Sequence, residues 1–315
     1  MNARCVPVVV SVALLVSGCA SPPEPAAPAP STSAAQTAPS PSEAGLPAGW
    51  RWESFGGVEV GVPGDWGWDN GSQRLHQYCV SRGDREPQPA VGRQGPTTMA
   101  LCAGGDRSTE VAATGTIVAF EWTRQRGGIE HRGDRTTVRR NGVEVIVQAV
   151  GDLRRRIVAT IRAADPDRNG CPATHPIGGR PGLRPGAPVD LTALGDVPVV
   201  VACRYRIGET VRLLSSLPLD GTATVRALAG APVGGGPDEP ESCAPEISYG
   251  EEVLVLRIGQ RREVVVRYSG CDHNGIDDGI AVRTLTEAAV APLLAGPNRP
   301  WSATGSDAKM AILGY

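Results

Sequence analysis

The chain has 315 residues, with 31 Lys and Arg against 33 Asp and Glu and a formal net charge of −2. A charge so nearly balanced carries no broad field for nucleic acid or for an acidic substrate. With two phenylalanines and five tyrosines, any core must rest on Val, Leu, Ile and a few of the six tryptophans.

Residues 1–18 read as a secretory signal. Arg4 makes a short positive start, and an apolar run follows from Val6 to Val16, broken by Pro7 and Ser11. That run falls short of the ~20 apolar residues a bilayer span needs. It ends in Val16-Ser17-Gly18-Cys19, which resembles the lipobox of bacterial lipoproteins, with Val16 where Leu is commoner. The resemblance implies cleavage before Cys19, diacylglycerol on its thiol, and a palmitate-type acylated anchor on the extracytoplasmic face of the cell membrane. Two acyl chains suffice for stable anchoring where one is marginal. Residues 19–48 would then be anchor and linker; residues 20–45 are almost all Ala, Pro, Ser and Thr, with Glu24, Gln36 and Glu43 the main exceptions. Such a segment has too little apolar area to offset its ordering entropy. In polyproline II, at about 3.1 Å per residue, it could hold a folded part tens of ångströms from the surface.

Roughly 300 residues beyond the signal suggest two domains, placed at 49–166 and 167–302, with 303–315 as a tail. In the first, Val58 to Val62 alternates and ends at Pro63-Gly64, a strand and a turn. Thr116 to Trp122 is a second strand. Thr136–Arg140 and Val143–Gln148 flank Asn141-Gly142, a strong hairpin signal because both residues tolerate positive φ. Asp152 to Arg162 is predicted as a helix, with Leu153, Ile157 and Ile161 on one face and Arg154, Arg155 and Arg156 mostly on the other. In the second domain, Val197 to Tyr205 is a buried strand. Glu209 to Leu217 is predicted as a short helix from the spacing of Val211, Leu214 and Leu217, stopped by Pro218. Gly230 to Pro240 is a Gly/Pro loop. Val253–Ile258 and Glu263–Tyr268 form a hairpin about Gly259-Gln260. Thr284 and Glu287 suggest a capping box for a last helix, kinked or split by Pro292. The expected class is α+β: two small disulfide-stapled domains, each with antiparallel hairpins packed on helices.

Eight cysteines are present. With Cys5 in the signal and Cys19 at the lipid site, six remain. An even number in an exported chain argues for disulfides, and six allow fifteen connectivities. Sequential pairing, Cys79–Cys102, Cys171–Cys203 and Cys243–Cys271, keeps each bridge inside one predicted domain. Zinc is the rival, but neither a Cys-x-x-Cys nor a Cys/His pair at zinc spacing occurs.

The elements Cys171-Pro172, Cys203-Arg204-Tyr205, Cys243 and Ser269-Gly270-Cys271 resemble a domain common in uncharacterised actinobacterial lipoproteins and membrane proteins, over about residues 170–295. The opening Val58-Glu59-Val60-Gly61-Val62-Pro63-Gly64-Asp65-Trp66, with the basic helix at 152–162, is similar to PsbP-like or LpqN-like exported domains. Neither resemblance carries catalytic residues.

Asp272, Asn274, Asp277 and Asp278 form the most ligand-like loop, since three carboxylates and an amide offer oxygen to calcium. The EF-hand pattern is not met: Ile276 and Asp277 stand where an oxygen ligand and glycine belong, and Arg283 where the last glutamate belongs. A solvated turn is the preferred reading. Ser306-Asp307-Ala308-Lys309 has the Ser-x-x-Lys form without its companion motifs. His76, His131, His175 and His273 are scattered. Arg82-Gly83-Asp84 and Arg132-Gly133-Asp134 spell an adhesion tripeptide but suit tight turns. Trp66 and Trp68, two apart, could share a face for a sugar, or plug the core. Arg154–Arg156 could meet anionic lipid, or be a solvated face. The expectation is a non-enzymatic binding or interaction module of the cell envelope. It would be held to the membrane through Cys19, with no cofactor and no nucleic acid, its partner an unnamed envelope component or exported protein. The alternatives are an envelope hydrolase with a site assembled from scattered residues, and a calcium- or carbohydrate-binding module.

Overall fold

A computed structural model describes residues 45–70, 78–80, 88–93, 106–108, 115–208, 212–259 and 261–300. Cys19, the linker to residue 44, Cys102, the side chain of Cys79 and the tail lie outside these, and so does the expected 79–102 bridge.

Strands β1 (Trp50–Phe55) and β2 (Val58–Pro63) pair antiparallel, Trp50 against Pro63 through Phe55 against Val58. The reversal uses Gly56 and Gly57 at φ 57° and 82°, where glycine meets no Cβ penalty. A six-stranded sheet follows. It holds β3 (Gly67–Asn70), β5 (Ala90–Arg93), β7 (Ile117–Trp122), β8 (Gly128–Arg132), β9 (Arg135–Arg140) and β10 (Val143–Gln148), in the order β3-β5-β7-β10-β9-β8. Strands β4 (Tyr78–Val80) and β6 (Asp106–Ser108) make a separate pair. The β9–β10 hairpin turns at Asn141 and Gly142, at φ 52° and 73°, the geometry that this dipeptide favours. Helix α1 (Gly151–Thr160) comes next, and β11 (Arg162–Ala163) then adds to β2 as a third strand. Alternation places Val58, Val60 and Val62 in one core with Val118, Phe120, Val143, Val145, Val147 and Ile157.

The second six-stranded sheet contains β12 (Val199–Arg206), β13 (Leu213–Asp220), β14 (Glu252–Ile258), β15 (Arg262–Arg267), β16 (Gly275–Asp277) and β17 (Val282–Arg283). Its order is β13-β12-β14-β15-β16-β17. On one face Val200, Ala202, Leu254, Leu256, Val264 and Val266 pack with α2 (Gly221–Ala229) and α3 (Glu287–Val290). On the other, Cys203, Tyr205, Val253, Val255 and Val265 pack with Cys171 and Ile177. The side-chain period of two explains how one strand serves both.

The α+β expectation is corrected: among the described residues the structure is mostly β, with sheets of three, six and six strands beside the β4–β6 pair, three short helices and 16% helical residues. The clearest departure is the helix expected at 209–217. From Leu213 on it is strand β13. Leu213 enters the second core while Leu214, next to it, enters the first, as successive residues of a strand must. Ser215 and Ser216 are buried as well, so the burial lacked the alternation that would have marked a strand. Pro218 is tolerated because β13 is a sheet edge, where a missing N–H leaves no ladder bond unmade. The Thr284/Glu287 box also fails. Thr286, not Thr284, precedes the one-turn α3, and the Thr284 hydroxyl donates to Gly235 O at 3.0 Å. The helix ends before Pro292.

Strand β13 also seams the two regions together. Gly56 N donates to Leu213 O at 2.8 Å and Arg93 Nε to Leu214 O at 3.0 Å.

Candidate functional site

The residues first marked for calcium sit in the β15–β16 loop and at the end of β16, behind a covalent clamp. Cys243 and Cys271 are bonded, with Cα atoms 5.4 Å apart, and Cys171 and Cys203 likewise at 5.7 Å. Gly270 lies flat against the neighbouring backbone: a Cβ there would stand 2.3 Å from Ser248 O and 2.7 Å from Tyr249 C. Ser269 Oγ accepts from Glu252 N at 3.0 Å and donates to Glu252 O at 2.7 Å. The Ser269-Gly270-Cys271 motif is thus a packing device that pins segment 248–252. Cys203-Arg204-Tyr205 does the same elsewhere, with the Tyr205 hydroxyl donating to Pro172 O at 3.0 Å and Arg204 to Arg299 O at 2.9 Å.

Asp272 Oδ1 accepts from His273 N at 2.7 Å. Both Asp277 oxygens accept from Arg184, at 2.8 to 3.2 Å, and Arg267 stands 3.5 Å away. Burial would raise the Asp277 carboxyl, but the Arg184 hydrogen bonds, Gly279 N and Arg267 hold it below its ordinary 3.8. Asp278 Oδ1 accepts from Ile280 N and Ala281 N, and its Oδ2 faces Arg283 at 3.4 Å. Neighbouring in sequence, these carboxylates thus turn to arginines and backbone N–H groups. Among the described residues no cluster of three or more His, Cys, Asp or Glu is arranged to hold a metal ion.

The same loop walls a cleft of about 330 Å³ whose lining includes Arg184, Gly235, Asp238, Tyr249, His273 and Asn274. Tyr249 and His273 stack there, centroids 4.4 Å apart and planes 18° off parallel. His273 holds φ 59°, a region that costs a non-glycine residue about 1–2 kcal/mol and that persists only where the surroundings fix it. Asn274 is almost fully buried. Its Nδ2 donates to Pro237 O at 2.9 Å and Gly270 O at 2.7 Å, and its N donates to Asp238 Oδ1 at 2.9 Å. The two Nδ2 bonds fix the amide's orientation, and Oδ1 is left buried without a partner. Gly234, Gly235 and Gly236 run past at φ 144°, 73° and 78°. A Cβ at Gly235 would lie 3.4 Å from Asn274 O.

Sequence reading marked Asn274 and Asp277 in this loop, as a solvated turn with calcium the alternative, and left His273 among the scattered histidines. It missed Arg184, from the segment before β12, and Asp238 and Tyr249, from the connection between α2 and β14. The one local signal was the triple glycine, read only as a loop.

The other marked residues lie apart. Trp66 is buried in the first core. Trp68 is partly exposed, but Arg51 covers its ring at 4.3 Å and its Nε1 donates to Glu53 at 2.9 Å, so the two do not make a shared sugar platform. Arg154 donates to Gly133 O at 2.7 Å, Arg155 pairs with Asp152 at 3.2 Å, and Arg156 lies over Trp50 at 4.9 Å. His131 bonds Thr136 at 3.0 Å and His175 meets Glu263 at 3.3 Å. Arg132-Gly133-Asp134 forms the β8–β9 turn, with Gly133 at φ 57°. His76, Arg82–Asp84 and Ser306–Lys309 fall outside the described residues.

Comparison with protein-family models, with curated proteins and with solved structures finds no match to this chain.

Proposed function

We propose that this chain is an exported, lipid-anchored protein of the cell envelope, and that the Tyr249–His273 cleft is where it binds an envelope component. The anchor reading is supported by the lipobox-like Val16-Ser17-Gly18-Cys19 and the Pro/Ala/Ser/Thr linker. The disulfides Cys171–Cys203 and Cys243–Cys271 suit an oxidising compartment. The observation that carries the binding reading is the cleft itself. Its wall is cross-linked by Cys243–Cys271 and by the Arg184–Asp277 pair, and a stacked aromatic pair lines it. Concave sites with a few convergent polar groups are the usual form of a small-ligand site.

Two measurements test it. Cys19→Ser should shift the protein from the membrane fraction to the medium, and retention in the membrane would rule out the lipid anchor. The full chain bearing Cys19→Ser should co-sediment with isolated cell-wall sacculi, and Tyr249→Ala should reduce that severalfold. Equal sedimentation of both would remove the cleft from binding.

A further inference from the structure

We infer that the ligand of this cleft is a neutral, hydroxyl-rich ring, a monosaccharide unit of an envelope glycan. This rests on the reading of the cleft as a binding site, and it follows from which polar groups the fold has already used.

The charges of the cleft cancel. Its lining holds Arg184 and Arg267 with Asp238 and Asp277, two of each sign. The guanidinium forks are also committed. Arg184 uses Nε and Nη2 on Asp277, which leaves Nη1. Arg267 donates Nε to Pro181 O at 2.9 Å and Nη2 to Leu183 O at 2.7 Å, and turns Nη1 to Asp277. Tight recognition of phosphate or carboxylate uses a free fork with two parallel N–H groups, and neither arginine offers one. A cationic ligand fares no better, because Asp277 is already neutralised.

What remains is a set of single groups of mixed polarity, Arg184 Nη1, the second oxygen of Asp238 and the Tyr249 hydroxyl, beside a His273 ring whose Nε2 faces Asp272 at 3.4 Å. A hydroxyl both donates and accepts, so a ring bearing several hydroxyls matches donors and acceptors alike. The Tyr249–His273 pair adds an aromatic face for the C–H side of such a ring, an amphipathic use to which aromatic side chains are suited. The volume of about 330 Å³ is at the small end for ligand sites, which run from about 300 to 1,000 Å³. It suits one ring with a substituent rather than a long chain enclosed along its length.

The test is titration of the full chain bearing Cys19→Ser, followed by saturation-transfer NMR and calorimetry. One set of probes is neutral: oligomers of glucose, mannose, galactose, arabinose and N-acetylglucosamine. The second is anionic, uronic-acid oligomers and inorganic phosphate, and the third is cationic, glucosamine oligomers. At least one neutral probe should bind. Affinity should fall tenfold or more in Tyr249→Ala and in His273→Gly, and stay unchanged in His131→Ala. His273→Gly keeps the left-handed backbone at that position without strain, so loss of binding with an unchanged melting temperature would not be a folding defect. Tightest binding by an anionic or cationic probe, weakened by the same two substitutions, overturns the saccharide assignment and leaves the cleft a binding site. Neutral binding that ignores both substitutions overturns the assignment of this cleft. If no probe binds and sacculi are not retained in a Tyr249-dependent way, both readings fall together.

Discussion

Glu53 is a buried carboxylate in the middle of an edge strand, and its partners explain why it can be there. It pairs with Arg93, equally buried, and with Arg51 at 2.7 Å, and it accepts from Trp68 Nε1. Burial pushes its carboxyl up, but Arg93 and Arg51 outweigh that and hold it below its ordinary 4.5. Hydrogen bonds from His175 oppose burial at Glu263 in the same way, and Arg184 does so at Asp277. A carboxyl lowered by folding stabilises the fold above its ordinary value, and that stability drains away as pH falls through the lowered value. The urea midpoint should therefore hold between pH 7 and 5 and drop below about pH 4.5, the ordinary value for Glu53. Glu53→Gln leaves Arg93 buried without a counter-charge, which should cost about 3–5 kcal/mol at pH 7. It should also flatten the acid limb of the profile. An unchanged acid limb would show that the Glu53 charge is not what acid removes. None of this was legible in Trp50-Arg51-Trp52-Glu53, because the residue that makes Glu53 tolerable stands 40 positions away.

Among the elements, hairpins were the easiest to read. Asn141-Gly142 and Gly259 carry their geometry in the turn residues themselves, with φ 52°, 73° and 65°. Strand β13 was unreadable because its pattern is set by two cores at once, Leu213 in one and Leu214 in the other. The first sheet packs against the six-stranded sheet as well as against α1 for the same kind of reason: which element covers an apolar face is a tertiary matter. Gly270 offers an element-scale test, since its missing side chain lets the segment after β15 lie on 248–249. Gly270→Ala should cost about 1–3 kcal/mol through overpacking and should weaken cleft binding by moving Tyr249. Gly195→Ala is the contrast: nothing stands within 4 Å of its new Cβ, so the change should stay within about 0.5 kcal/mol. Thermal melts of the two variants make the comparison, and equal effects would contradict the close approach at Gly270.

At the scale of the molecule, the two disulfides among the described residues, with sequence separations of 32 and 28, do different work. Each should stabilise by about 3–4 kcal/mol in the chain-entropy picture. Cys171–Cys203 lies in the second core, away from the cleft, whereas Cys243–Cys271 braces its wall. The double substitution Cys171→Ala/Cys203→Ala should lower the melting temperature and leave ligand affinity intact. Cys243→Ala/Cys271→Ala should lower both. Equal affinities in the two would show that the cleft keeps its shape without the clamp. Cys171–Cys203 and Cys243–Cys271 were legible in the sequential pairing of an even cysteine set. The cleft was not, because Arg184, Asp238, Tyr249 and His273 converge from loops that no local spacing connects.

The β1–β2 hairpin has a mechanical meaning. The chain enters the hairpin at Trp50, its open end, and among the described strands β1 pairs with β2 alone. A pull on the segment before Trp50 would load the ladder bonds one after another, like a zipper, rather than shear them together. Glu53 is the fourth residue in, and its bond to Arg93 reaches across to the six-stranded sheet that contains β5. The buried pair that looks like a thermodynamic extravagance is also a catch, placed close to where such a pull would begin to peel the hairpin open.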